Sequence, residues 1–224
     1  MVGALLRLKF RSVPPVVAGE FGYRTHAPMD SLAEVQKVSA LFSDLPCPWF
    51  ICGGWAIDLF LNRVTRQHKD VDVAIAREDQ FRVRDYLRQR GWSLQKAVNG
   101  DLIPWADGEW LTLPIHGVWC SNEKYVPDFV ELLLNEIDEM HFRFRRDQSI
   151  TLARERMSFK AACGVPALAP EIVLLYKSNC AEEYEADFQN TVEALSEAQR
   201  AWLKNALNKL YAQPPWAERL QAGT

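Results

Sequence analysis

Apolar positions change their period repeatedly along the first half of the chain, and each change marks an element. Behind Ser31 and Glu34, residues Leu32, Val35, Val38, Leu41 and Phe42 recur at three- and four-residue spacing. This predicts a helix to about residue 43, opened by a capping box. The apolar run 49–52 then meets Gly53-Gly54, a strand stopped by two permissive residues, and the unbroken stretch from Trp55 to Asn62 predicts a helix just after them. Residues 69–75 alternate strictly, with Val71, Val73 and Ile75 on one face and Asp70, Asp72 and Ala74 on the other. That is the pattern of a half-buried strand.

Further on, Asp79 is placed to cap a helix carrying Phe81, Tyr86 and Leu87 and closed by Gly91. Residues 92–122 read as short strands and loops, and 129–134 as the next strand. After a turn at Gly164-Val165-Pro166, helical patterns cover 171–179, 184–195 and 197–211. The expectation is an α+β chain: a mixed β-sheet with flanking helices over 29–150, followed by a small, mainly helical C-terminal lobe over 151–224. Residues 1–28 carry Pro14, Pro15 and Pro28 without clear periodicity and read as a loosely structured extension, with Met29 as an alternative start to Met1.

Composition narrows the function classes. A hydrophobic fraction of 48% and a charged fraction of 25% over 224 residues are those of a globular protein with a real core. A net charge of -3 argues against the broad basic footprint that grips a nucleic-acid backbone, so nucleic acid is an unlikely partner. No run is long enough to span a membrane, and Arg7, Lys9 and Arg11 interrupt the only candidate leader; the expected location is cytoplasmic. The five cysteines show no metal-ligand spacing and read as ordinary thiols of a reducing compartment.

The candidate chemistry lies on the alternating strand. Asp70 and Asp72, two apart, leave the same face and can hold divalent cations between them, as phosphoryl and nucleotidyl transfer require. Gly53-Gly54 lies just upstream, where a helix start offers backbone N–H groups and a favourable dipole to a triphosphate. A third acid is sought on strand 129–134. Glu131 is the charged residue inside that apolar run, and burying it unpaired is expensive, so it is favoured over its competitor Asp128, three residues away and on the opposite face of a regular strand.

Other residues have two readings. His68 either orients Asp70 or makes a structural hydrogen bond. Arg66, Arg145 and Arg146 either meet phosphate or are ordinary loop arginines. Asp58 reads as structural, through a hydrogen bond in its helix or a pair with Arg63. Glu182, Glu183, Glu185 and Asp187 read as an acidic face, either solvated or attracting a cationic acceptor. Of the eight tryptophans, most are expected in the core.

Three stretches together carry a family resemblance: Gly53-Gly54-Trp55-Ala56-Ile57-Asp58, Arg63-Val64-Thr65-Arg66, and His68-Lys69-Asp70-Val71-Asp72. They resemble the nucleotidyltransferase superfamily, and within it the aminoglycoside and lincosamide nucleotidyltransferase-like proteins, as do Glu131-Leu132-Leu133-Leu134-Asn135, Phe144-Arg145-Arg146-Asp147 and Leu168-Ala169-Pro170-Glu171-Ile172-Val173 running into Lys177. The chain departs from many superfamily members in having Trp55 where a serine follows the glycines, which leaves the backbone to hold phosphate. The resemblance implies a nucleotidyltransferase-type fold, with Asp70, Asp72 and Glu131 binding two Mg²⁺, Gly53 and Gly54 holding the triphosphate, and Lys177 approaching it from the helical lobe. It further implies an enzyme that moves a nucleoside monophosphate, AMP from ATP, onto a hydroxyl of a small molecule such as an aminoglycoside or lincosamide antibiotic, releasing pyrophosphate. Transfer to a protein or tRNA, and a non-catalytic nucleotide-binding member of the fold, are the alternatives.

Overall fold

The computed structural model describes residues 31–220; the extension 1–28 and both candidate starts lie outside them. One mixed sheet organises the chain, in the order β4(Asp101–Pro104), β3(Ser93–Val98), β5(Gly117–Ser121), β6(Phe129–Ile137), β2(Asp72–Ala76), β1(Trp49–Ile51), β10(Pro166–Leu168), β9(Ser158–Lys160). Strands β7(His141–Arg143) and β8(Thr151–Ala153) extend it from the far end of β6. The pairs β2/β6 and β1/β10 are parallel and the other pairs antiparallel. This is the α+β mixed sheet with flanking helices expected from the sequence.

The helices are α1(Leu32–Leu41), α2(Gly53–Leu61), α3(Gln80–Gln89), α4(Pro170–Lys177), α5(Glu185–Val192) and α6(Glu197–Leu210). Val35, Val38 and Phe42 of the α1 region and Val83 and Leu87 of α3 enter the same core as Val73, Ile75, Leu132 and Leu134 of the central strands. The Tyr86 hydroxyl donates to the Leu41 carbonyl at 2.6 Å and ties α3 to α1. Residues 158–168 form strands that join the sheet through β1, so the helical part proper begins at Pro170.

Local expectations fail where another partner competes. Ser31 caps α1, accepting from the Ala33 N–H at 3.2 Å, but Glu34 turns to Lys37 and no capping box closes. The full box appears at α6, between Ser196 and Gln199. Asp79 precedes α3 without capping it, because its carboxylate pairs with Arg82 at 2.6 Å. Helix α2 starts at Gly53 itself rather than after the glycines. Strand β2 is buried on both faces, Ala74 included, since β1 and β6 flank it and helices cover the sheet; alternation gave it only one buried face.

The segment between α2 and β2 is what delivers Asp70 to the sheet, and α2 fixes it. Asn62 ends the helix in the left-handed region (φ 51°), turning the chain back along α2. Asp58, fully buried, then accepts from the Thr65 amide at 3.0 Å and the Thr65 hydroxyl at 2.5 Å, and its other oxygen meets His68 Nε2 at 2.6 Å. The His68 ring stacks on Trp55 with centroids 4.1 Å apart, and the Trp55 indole N–H donates to the Asp70 carbonyl at 3.1 Å. Trp55 and Asp58 lie three apart on one helix face, so one helical turn holds the whole return segment. His68 is thus structural, and the partners of the Asp58 carboxylate are His68 and Thr65 rather than the Arg63 side chain. Replacing Asp58 with alanine leaves three groups without their acceptor and is expected to cost about 3 kcal/mol in urea unfolding. A loss well under that would show that this network does not hold the segment.

Candidate active site

Parallel pairing of β2 and β6 sets Asp72 level with Glu131, so both carboxylates leave the same face of adjacent strands. Asp70 enters from the residue pair preceding β2. Carboxylate oxygens of Asp70, Asp72 and Glu131 all lie within 4.8 Å of one another. Asp128 pairs across from Asn122, one rung before Phe129 and Ser121, and so falls on the sheet face opposite to Glu131. The structure therefore gathers three of the four candidate acids and leaves Asp128 out of the cluster.

Three negative groups this close cannot all be charged cheaply. Asp72, the first residue of β2, is half-buried. Burial first, and then the neighbouring Asp70, push its carboxyl above the usual range, while Lys177 and Arg66 partly oppose the shift. Burial and the charges of Asp72 and Asp70 push Glu131 up as well, against a hydrogen bond from Trp119. Trp119 lies opposite Glu131 on β5 and meets Phe129 edge-on at 5.2 Å. A cluster of hard oxygen donors, short of positive charge and open to solvent on one side, fits a divalent cation of the magnesium type.

Glycine is required at the turn feeding α2. Gly53 has φ +62° and a Cβ there would collide with the Asp72 carboxylate; at Gly54 a Cβ would meet Arg66 and stand 2.6 Å from His68 Cε1. The Asp72 carboxylate thus rests on bare backbone at the first turn of α2, whose leading N–H groups have no partner inside the helix. The Cys52 N–H donates to the Asp72 carbonyl at 2.9 Å, locking the two segments in register.

Lys177, at the last position of α4, points its ammonium at Asp187 Oδ2, 2.8 Å away, and over the Tyr184 ring at 3.8 Å. Arg66 reaches the same Asp187 carboxylate. Arg145 and Arg146 gather instead around Tyr176, with Arg146 donating to its carbonyl at 3.1 Å. Glu182 and Glu183 are exposed just before α5, but the expected acidic face does not continue along the helix. Glu185 is tied to Arg219 and to the Trp216 indole, while Asp187 is buried, because residues two apart on a helix point in different directions. Of the tryptophans, Trp55, Trp92, Trp105 and Trp216 are buried and Trp110 is exposed.

Sequence reasoning missed two participants. Trp119 carries no signal in a stretch whose strand register is unreadable, and Asp187 reads as one of a run of surface acids although it directly precedes Phe188, a fully buried position of a short helix.

Metal-free protein should show the strain. The raised carboxyls favour folding only while protonated, so that contribution is present below their ordinary values of 3.8 and 4.5 and is lost as pH rises through about 7 and about 8. Magnesium should stabilise increasingly over the same window. Asp72→Asn is expected to raise the metal-free unfolding temperature at pH 8 and to remove the magnesium response. A variant less stable than wild type at that pH, with the response intact, would contradict the cluster's charge imbalance.

The sequence profile of the aminoglycoside-2''-adenylyltransferase family matches residues 34–120, which include both glycines, Asp70 and Asp72 but stop short of Glu131. A 2''-aminoglycoside nucleotidyltransferase of Escherichia coli is 28% identical over 91 residues, 41% of this chain and 50% of that protein. The chain thus spans about half the length of the curated relatives it matches. Among solved structures, the solution structure of the antibiotic-resistance factor ANT(2'')-Ia superposes with a TM-score of 0.55 at 18% identity, covering 82% of this chain and 95% of that one. The lincomycin-bound lincosamide antibiotic adenylyltransferase LnuA gives 0.51 at 15% identity, covering 74% and 98%. The nucleotidyltransferase fold and the resemblance to the aminoglycoside and lincosamide nucleotidyltransferase-like proteins stand on these matches.

Proposed function

We propose that this nucleotidyltransferase-type chain is an enzyme that transfers a nucleoside monophosphate, AMP from ATP, to a hydroxyl of a small molecule, with an aminoglycoside or lincosamide antibiotic as the acceptor class. The observation that carries the reading is the convergence of Asp70, Asp72 and Glu131 beside a helix start stripped of side chains at Gly53 and Gly54. The similarity of residues 34–120 to aminoglycoside-2''-adenylyltransferases supports the acceptor class.

The three acids would hold the divalent cations, and the backbone of Gly53 and Gly54, with the α2 dipole, would receive the polyphosphate. Magnesium held there would supply charge neutralisation and acidify the attacking hydroxyl. The acceptor oxygen forms a bond to the α-phosphorus in line with the bond to the bridging oxygen, which breaks to release pyrophosphate. Glu131, which bound cations would keep ionised, accepts the hydroxyl proton. Trp119 keeps Glu131 oriented. Lys177 and Arg66 meet the negative charge of the leaving group. With all three acids present, the non-catalytic reading has no support from the residues, and the net charge of -3 makes tRNA a poor acceptor.

Thermal unfolding with each NTP, with and without Mg²⁺, tests the donor site. A ligand at 100 times its dissociation constant stabilises by about 2.7 kcal/mol, so magnesium-dependent stabilisation by ATP, absent from Asp70→Asn/Asp72→Asn, is expected. Equal stabilisation of wild type and the double variant would place the nucleotide elsewhere.

A further inference from the structure

Asp187 is buried at the heart of the junction between α5 and the catalytic end of α2, and two cations converge on it. Arg66 donates from Nε to Oδ1 at 3.0 Å and from Nη2 to Oδ2 at 3.4 Å, and Lys177 Nζ lies 2.8 Å from Oδ2. Its carboxylate is only 4% exposed. Burial opposes its charge, but hydrogen bonding from Arg66 and the proximity of Lys177 outweigh burial and hold it ionised, below the usual carboxylate range.

One carboxylate cannot neutralise two cations, so the cluster keeps a net positive charge, and its geometry aims that charge. The Arg66 guanidinium lies against Gly54, where only the missing Cβ lets it sit, and Nη1 is anchored to the Gln67 carbonyl. The Lys177 ammonium, held over Tyr184, spends one donor on Asp187. Both cations act electrostatically on Asp72. The excess charge thus borders the first turn of α2, within electrostatic reach of Asp72. Arg66 is 41% exposed and Lys177 11%, so the arginine faces outward and the lysine inward.

We propose that Asp187 is a positioning residue for the donor's polyphosphate: it gathers Arg66 and Lys177 into a paired cation beside the first turn of α2 and holds them there to meet a nucleoside triphosphate. Without Asp187 the two like charges repel, and neither Arg66 nor Lys177 keeps its carboxylate anchor. The inference rests on the nucleotidyl-transfer reading, because a polyphosphate is the ligand this pair faces. It adds a residue from the helical part, distant in sequence from every residue of the carboxylate site, to the machinery that grips the donor.

Calorimetric titration with Mg·ATP, magnesium tripolyphosphate and AMP tests it on wild type, Asp187→Asn and Asp187→Glu. The expectation for Asp187→Asn is binding of ATP and of tripolyphosphate weakened about tenfold, AMP binding unchanged, and a KM for ATP that rises more than kcat falls. Asp187→Glu, which keeps the charge, should recover part of the loss. Unchanged ATP binding in Asp187→Asn, or equal weakening of ATP and AMP as a merely structural lesion would give, overturns the proposal. Should Asp187→Asn fail to fold, the partly exposed Arg66→Gln carries the same test: ATP weakened and AMP unchanged support it, no change in ATP overturns it. Failure of wild type to bind either ATP or tripolyphosphate would instead strike the nucleotidyl-transfer reading itself.

Discussion

The mutual repulsion of three carboxylates within 4.8 Å is the constraint on which the rest of the structure turns. Nothing in folding favours that convergence: burial and like charge both raise the proton affinity of Asp72 and Glu131. It persists because the backbone leaves no alternative. Parallel pairing of β2 with β6 fixes Asp72 level with Glu131, and the apolar side chains alternating with them, Val73, Leu132 and Leu134, are fully or almost fully buried. A one-residue slip would expose that entire set to water, so the hydrophobic core enforces an electrostatically unfavourable arrangement on the opposite face.

The same division of labour governs α2. Its apolar residues, Ile57 and Leu59 among them, anchor it in the core, and Trp55 and Asp58 fold the following segment back so that Asp70 arrives beside the other acids. A rigid, fully satisfied buried network supports a site that is itself short of positive charge. Arg66 and Lys177 bring positive charge near the acids, and they are tethered by Asp187 rather than by those acids. Positive charge is therefore held beside the three carboxylates without collapsing onto them.

Much of this was legible in the sequence where local pattern and chemistry coincide. The Gly53-Gly54 pair, the spacing of Asp70 and Asp72, and a charged residue within the apolar run around Glu131 each mark a departure from what a plain strand or helix needs. Alternation does not reveal that β2 is buried on both faces, since that depends on the helices and core that other parts of the chain lay over the sheet. Capping at Glu34 and Asp79 failed for a related reason: an arginine or lysine three residues on offered a better partner than the helix end. Asp187 looked like surface because its neighbours Glu182, Glu183 and Glu185 are acidic, and only the fold brings Arg66, 121 positions away, onto it. Trp119 was hidden by a stretch whose strands could not be registered from periodicity, although its pairing opposite Glu131 is simple once β5 is seen.

The measurement that bears most directly on this account is the mass of the acceptor after incubation of the protein with Mg·ATP and a panel of aminoglycosides and lincosamides. The account expects one acceptor to gain the mass of a single AMP, with pyrophosphate released in equal amount and no product from Glu131→Gln. A gain of one phosphoryl group with ADP released, or an AMP adduct formed equally well by Glu131→Gln, would contradict it.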